Sequence, residues 1–316
     1  MGRVPLTTDK LKTITYPDGS TVTFTYDLHD QLISMQDATG TTTYTYDEVY
    51  RVKSVTNPYG QGIAYEYDQL GNVTKIIYPG NKDLSYTYDA INRLATVLSW
   101  RSQSAIYRND SDGRLESLTN FNGTLTTYSY DRAHRLLTLE NKVSPTSWEI
   151  LSRYTYTLDA NGNRTGVLQE EPFWPWVIPV TTDLTYNSFK NRLLSADSTD
   201  WLGQGSTNFT YDAEGQILTK DTTSYDDEGQ PLTKDTTSYS FDYEHRLKSI
   251  SRSDSATTFV YDGRGTRLQV THNSVVTRYI YDAKGNLIAE TDSNNTITKY
   301  YIYGSGLLAM LTPEGE

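Results

Sequence analysis

The sequence predicts an all-β chain built by repetition, and three observations carry this. Tyr occurs 27 times and Phe 7 times against a background of Thr and Ser, residues that suit strands. The dyad Tyr-Asp returns every 20 or 21 residues over much of the chain. Apolar residues nowhere gather at helical spacing over a useful length.

Each element of the repeat has its own physical reading. The stretch "TTTYTYDEVYRVKSVTNPYG" alternates before its Asp, with Thr42, Tyr44 and Tyr46 on one face and Thr43 and Thr45 on the other. Period two is a strand. The aromatic pair recurs as Phe24/Tyr26, Tyr65/Tyr67, Tyr86/Tyr88, Tyr128/Tyr130, Phe209/Tyr211, Phe259/Tyr261 and Tyr279/Tyr281. Asp follows Tyr at Tyr26-Asp27, Tyr46-Asp47, Tyr67-Asp68, Tyr88-Asp89, Tyr130-Asp131, Tyr211-Asp212, Tyr225-Asp226, Tyr261-Asp262 and Tyr281-Asp282.

The Asp reads as the first residue of a type I turn, where its carboxylate accepts backbone N–H groups. Three residues on stands Gly71, Asn92, Gly113, Gly162, Gly215, Gly229, Gly265 or Gly285. Such a residue takes the left-handed conformation that closes a bulged hairpin. His134 and His245 fill the same slot, and His is among the types enriched at positive φ. A second strand follows, opening on Arg93-Leu94, Arg114-Leu115, Arg135-Leu136 or Arg246-Leu247. Return turns such as "YPDGS", "NPYGQG" and "DSNNT" then lead to the next unit.

Two regions depart from this period. Between Asp131 and Asn187 the step stretches to 28, twice, and "QEEPFWPWVIPVTTD" intervenes. Residues 141–208 are thus irregular, with a Trp/Pro-rich insertion at 172–180. Its prolines rule out a central strand. Phe173, Trp174, Trp176 and Trp201 there form either a plug, packed into the hollow or over an open sheet end, or a docking site. The second oddity is a tandem copy: "YDAEGQILTKDTTS" at 211–224 is followed by "YDDEGQPLTKDTTS" at 225–238. Each copy reads as one short hairpin with turns at "DAEG" and "KDTT", and Pro231 is expected at a strand start or edge.

Composition narrows the function. The net charge of −11, with no Lys/Arg cluster, argues against nucleic acid. The absence of Cys removes thiol catalysis, thiolate metal sites and disulfides. No apolar run is long enough for a membrane-spanning helix, and the first residues show no signal peptide. Carboxylates are abundant, but the repeated Asp is a turn residue rather than half of a glycosidase pair. "NDSDGRLES" and "LDANGNR" have calcium-like spacing without completing an EF-hand loop, so neither a metal nor another cofactor is expected. His29, His134, His245 and His272 are scattered, and no catalytic motif with the right context occurs. The Tyr ladders could stack on sugars, but cross-strand packing accounts for nearly all of them.

These residues resemble the YD repeat of the Rhs proteins, which include polymorphic toxins, Tc toxin B and C components, wall-associated repeat proteins and teneurins. "KYYIYGSGLLAMLTPEGE" at Lys299–Glu316 resembles the entry to the Rhs core-associated region. The resemblance implies an antiparallel strip coiled into a spiral, with residues 1–316 as a single domain. No residue matches the family's autoproteolytic aspartates or its variable effector, which lie beyond that point. About fourteen repeats of two strands give a strip on the order of 130 Å long, or one turn about 40 Å across. The expected form is therefore a hollow or tube-like open shell, too short to enclose a folded effector. The implied role is non-catalytic: a shell segment of a secreted or cell-surface protein in a larger export system. Its partners would be the remaining segments of a longer toxin or its effector. The alternative is a glycan- or protein-binding adhesion module using the Trp-rich insertion.

Overall fold

The computed structural model describes residues 10–170, 181–186, 192–200, 203–226 and 229–313. Among these the chain is strand, turn and bend, with no helix. Fifteen strands from Thr13 to Glu170 form one antiparallel sheet, and twelve from Thr181 to Leu311 form another. In both, spatial order is sequence order, so each strand pairs with the strands before and after it.

The turns explain this regularity. In the Asp47 unit, Tyr50 N–H donates to Asp47 O and Asp47 N–H to Arg51 O. The same pair of bonds recurs at Asp68, Asp89, Asp131, Asp242 and Asp282. The fourth residue has positive φ whatever its side chain: 89° at Gly71, 67° at Asn92, 62° at His134 and His245. Asp30 and Tyr50 occupy it too, at 63° and 69°, so the backbone geometry overrides residue preference. The turn shifts the register at each Tyr, as between Thr45 and Tyr46, where Tyr46 sits opposite Val52. This bulge strengthens twist and bends the strip.

Bending brings the chain back over itself. Tyr78 Oη donates to Tyr301 O at 3.0 Å, and Tyr86 Oη to Tyr303 O at 3.0 Å. Asn295 Nδ2 reaches Tyr59 O, and Ser305 N–H reaches Tyr107 Oη. These pairs are 198 to 236 positions apart, and the offset shrinks from Tyr59 to Tyr107 as the layers cross at an angle. One circuit therefore takes about twenty strands, roughly 95 Å of strip at about 4.8 Å per strand, or about 30 Å across. The circuit is tighter than a single ring of all the strands, so the end of the chain lies over its beginning.

The layers nest like a scroll. In the first sheet the face carrying the aromatic pairs is covered: Ile63, Tyr65, Leu84, Tyr86, Val97, Ala105 and Tyr107 are buried. In the second sheet the opposite face is covered. Ile280 pairs across strands with Ala289, Ala289 with Tyr300 and Tyr300 with Leu311, and all four are buried. They alternate with Tyr279, Tyr281, Tyr301 and Tyr303, which face the other way. Trp100 wedges between Tyr78 and Tyr300, with ring centroids 5.7 Å and 5.1 Å away. Burying each large side chain here contributes about 1.5–3 kcal/mol.

The tandem copy does not fold as two short hairpins. Each copy gives one long strand, Ile217–Tyr225 and Pro231–Phe241, and "KDTT" lies within the strand. "KDTT" has no Gly or Asn to take the left-handed position, and its threonines favour strand. Antiparallel pairing sets each copy against its own reverse: Lys220 opposite Thr237, Asp221 opposite Thr236, Thr222 opposite Asp235, Thr223 opposite Lys234. Thr236 Oγ1 donates to Asp221 Oδ1 at 2.6 Å. Pro231 opens its strand. The turn at Asp226 therefore lies on the opposite edge from those at Asp212 and Asp242. The longer steps at Asp131–Asp159 likewise lengthen strands, as in Ile150–Leu158. The Trp/Pro-rich insertion at 172–180 lies outside the described residues.

Gly304 lacks positive φ, yet a Cβ there would collide with Tyr107 Oη of the other layer. Gly304→Ala is expected to cost about 1–3 kcal/mol of stability in a urea or thermal melt, and to raise amide exchange across Ile297–Tyr303. Unchanged exchange there would contradict the overlap.

Candidate functional site

The recurring Tyr-Asp unit is a joint between neighbouring hairpins. Asp47 Oδ1 accepts N–H from Val49 and Arg51 at 3.0 and 2.9 Å, and Oδ2 accepts from Arg51 Nε at 2.7 Å. Asp89, Asp131 and Asp242 repeat this with Arg93, Arg135 and Arg246. At Asp68 and Asp282 the amide of Asn72 or Asn286 replaces the guanidinium. Asp27, Asp212 and Asp226 accept the N–H of Gln31, Gln216 and Gln230, one position beyond the left-handed residue.

The Tyr of the dyad reaches the preceding hairpin. Tyr46 Oη donates to Leu32 O at 2.9 Å, Tyr67 to Val52 O at 2.7 Å and Tyr88 to Val73 O at 2.9 Å. Tyr26, Tyr130, Tyr211, Tyr261 and Tyr281 do the same to Leu11, Leu115, Leu193, Leu247 and Arg267. The accepting carbonyl lies beyond the last paired residues between hairpins; that ladder ends at Ser34–Thr43 and Ser54–Ala64. The hydroxyl thus replaces a missing ladder bond. A third link comes from Arg. Arg51 Nη1 donates to Asp68 O, Arg114 to Asp131 O and Arg246 to Asp262 O. The same guanidinium lies over the next ring, 4.4 Å from the Tyr67 centroid for Arg51 and 5.0 Å from Tyr261 for Arg246.

The first aromatic of the pair works across layers instead. Ala283 N–H donates to Tyr65 Oη at 2.7 Å, Tyr86 reaches Tyr303 O and Tyr107 receives Ser305 N–H. Burial pushes the Tyr65 and Tyr86 hydroxyls well above the usual phenol range. The sequence showed the pair but not this division of labour. A retained hydroxyl at Tyr44, Tyr65, Tyr86 and Tyr107, where Phe24 and Phe259 lack one, was the available signal. A cleft of about 420 Å³ lies between Tyr65, Tyr67, Tyr86 and Tyr88 and the Asp282 turn. At one end of the seam, Tyr16 Oη donates to Glu244 at 2.5 Å and Gly263 N–H to Asp37 Oδ2 at 2.7 Å.

Electrostatics follow the hydrogen bonds. Bonds from the Asn72 side chain hold Asp68 below the usual carboxylate range, those from Arg93 hold Asp89 and those from Arg135 hold Asp131. Asp262 is buried in the seam, and burial, with the neighbouring charge of Asp37, pushes it up. The repeat carboxylates are engaged by donors on both oxygens at Asp47, Asp89, Asp131 and Asp242. Among the described residues no three His, Asp or Glu side chains come together to hold a metal ion. Phe173, Trp174, Trp176 and Trp201 lie outside the described residues.

Tyr88→Phe leaves the Val73 carbonyl without its donor and should cost about 1 kcal/mol in a chemical melt. His134→Gly relieves a left-handed residue and should add about 1 kcal/mol. Carboxylates held below their unfolded value near 3.8 stabilise the fold above that pH and lose this contribution as the pH falls through their folded values. Asp262 has the opposite sign: its ionised form is disfavoured in the fold, and the penalty disappears as the pH falls through its raised value. Melting between pH 7 and 3 should therefore drop below about pH 4. At pH 7 Asp89→Asn should lower the melting temperature, whereas Asp262→Asn should leave it equal or higher.

A family model described as teneurin YD-shell matches residues 6–139, and one described as RHS repeat matches residues 261–297. No curated protein matches the sequence. The crystal structure of TcdB2–TccC3 without its hypervariable C-terminal region is 15% identical, with a TM-score of 0.51, over 94% of this chain and 18% of that one. The Photorhabdus luminescens Tc holotoxin pore is 11% identical over 95% of this chain and 24% of that one, at a TM-score of 0.36. The chain thus spans about a fifth of the length of these structures. The recurrent Tyr-Asp joint, the two family matches and the shared all-β fold together place the chain in the YD/Rhs-repeat family.

Proposed function

We propose that the chain is a non-catalytic wall segment of a Rhs/Tc-like shell, acting as a scaffold within a larger secreted or extracellular polypeptide. One observation supports this most: the repeated Tyr, Asp and Arg side chains are spent on joining one hairpin to the next. A side chain bonded to its own scaffold in unit after unit is a construction element. The overlap adds a second layer, which makes a wall rather than a flat sheet. Its partners are the remaining parts of such a polypeptide, including any guest held inside the completed shell. Residues 1–316 act as one structural domain, in which the tandem copy at 211–238 lengthens the strip by paired strands. No helix among the described residues is long and apolar enough to cross a membrane.

A second reading, an adhesion module for glycans or proteins, draws on Trp148, which is 90% exposed in the loop before Ile150–Leu158. Electron microscopy of the polypeptide expressed with its native flanking sequence tests the first reading. The expected image is a continuous shell into whose wall this coil merges. A coil standing apart as an isolated appendage would overturn it. Loss of cell or glycan-array binding in Trp148→Ala would favour adhesion, and binding unchanged from an inert control would remove it.

A further inference from the structure

The turns on the Tyr-Asp edge change character along the strip. In three consecutive repeats the second residue after Asp is Val49, Leu70 or Ile91, and one repeat earlier Leu28 directly follows Asp27. They are 62%, 78%, 69% and 101% exposed, and Tyr50 beside Val49 is 56% exposed. Later repeats carry Asp112, Ala133, Asn161, Glu214, Glu244, Arg264 and Lys284 at the position of Val49. Turn sterics do not require an apolar residue there, since the polar ones make the same turn. The second layer does not cover this row: its Asp282 turn stops against Tyr65, within the face of the first sheet.

The row bares several hundred Å² of apolar surface, at the upper end of what a monomer leaves uncovered. Successive members are two strands apart, about 9.6 Å, in a row about 29 Å long. A helix offers a contact about every 5.4 Å and a single strand about every 6.8 Å on one face, so neither matches the spacing. Another edge of the same kind does. Set antiparallel about a twofold axis, Leu28 meets Ile91 and Val49 meets Leu70. The next positions outward then oppose Lys10 and Lys12, both exposed, to the Asp110–Asp112 pair, which Arg114 bridges and leaves with one net negative charge. Lys12 flanks Leu11, whose carbonyl Tyr26 caps, so this basic pair stands one repeat before Asp27 on the same edge. The residual charge at Asp112 therefore favours the same register as the apolar row. Two curved rims related in this way follow each other around the coil, so the turn residues flanking the row join the contact as well, as an interface of at least about 1,200 Å² requires.

We infer that a second copy of this chain docks on the Leu28–Ile91 edge, rim to rim, extending the coil into a longer tube. Sedimentation of the full chain should give a species of twice 35.8 kDa, falling to 35.8 kDa in Leu70→Asp with an unchanged melting temperature. The chain has no Cys, so Val49→Cys/Leu70→Cys should cross-link into disulfide dimers on oxidation, whereas Leu70→Cys alone should not. Lys10→Glu with Lys12→Glu should weaken dimerisation about tenfold, and adding Asp112→Lys should restore it. A wild-type monomer throughout the micromolar range would overturn the proposal and leave the row to a different partner. So would a dimer that Leu70→Asp leaves intact, or a double-cysteine variant that does not cross-link.

Discussion

The tyrosine hydroxyl that caps a carbonyl of the preceding hairpin is the bond on which the strip depends. An antiparallel hairpin with a bulge at its turn cannot keep its ladder running to the edge, so one carbonyl per unit is left without an N–H. Tyr46, Tyr67 and Tyr88 each supply a donor at that point. The ring also gives the following Arg a face to lie on, as Arg51 does on Tyr67. Edge closure, turn charge and repeat-to-repeat attachment are thus one device. Phe in the same place would keep the packing and lose the cap, which accounts for the excess of Tyr over Phe.

Because the joint is local, the strip is nearly one-dimensional, and each hairpin is stabilised mainly by its neighbours. That tolerance explains how a fourteen-residue copy persists at 211–238. The copy did not insert a small hairpin. It re-paired as two long strands whose sequences meet in reverse, with Lys220 facing Thr237 and Asp221 facing Thr236. A self-copied Thr-rich segment is its own antiparallel partner, and two strands bring the chain back to the original edge.

Overlap imposes a constraint of another kind. Small residues are required where layers touch, so Gly263 lies against Val22 and Gly304 against Tyr107. Apolar residues are required on the face of the second sheet that the tyrosine pairs do not occupy, and Ile280, Ala289, Tyr300 and Ile302 fill it. The same repeat therefore buries one face in the first layer and the other face in the second. The all-β fold itself is shared with the crystal structure of TcdB2–TccC3.

The sequence by itself determined everything that is settled within about one repeat. The Asp-to-Gly spacing fixes a turn whose bonds span four residues, and alternation fixes which side chains share a face. Family membership followed from the same local pattern. Tertiary structure decided what depends on contacts some 200 positions apart. How tightly the bulges curl the strip is a sum of small bends that no single unit encodes. That curvature chose where the circuit closes, which tyrosines cross between layers and why Gly304 must be small. It also gave "KDTT", whose threonines already favour strand, its partner in the copy that lies alongside.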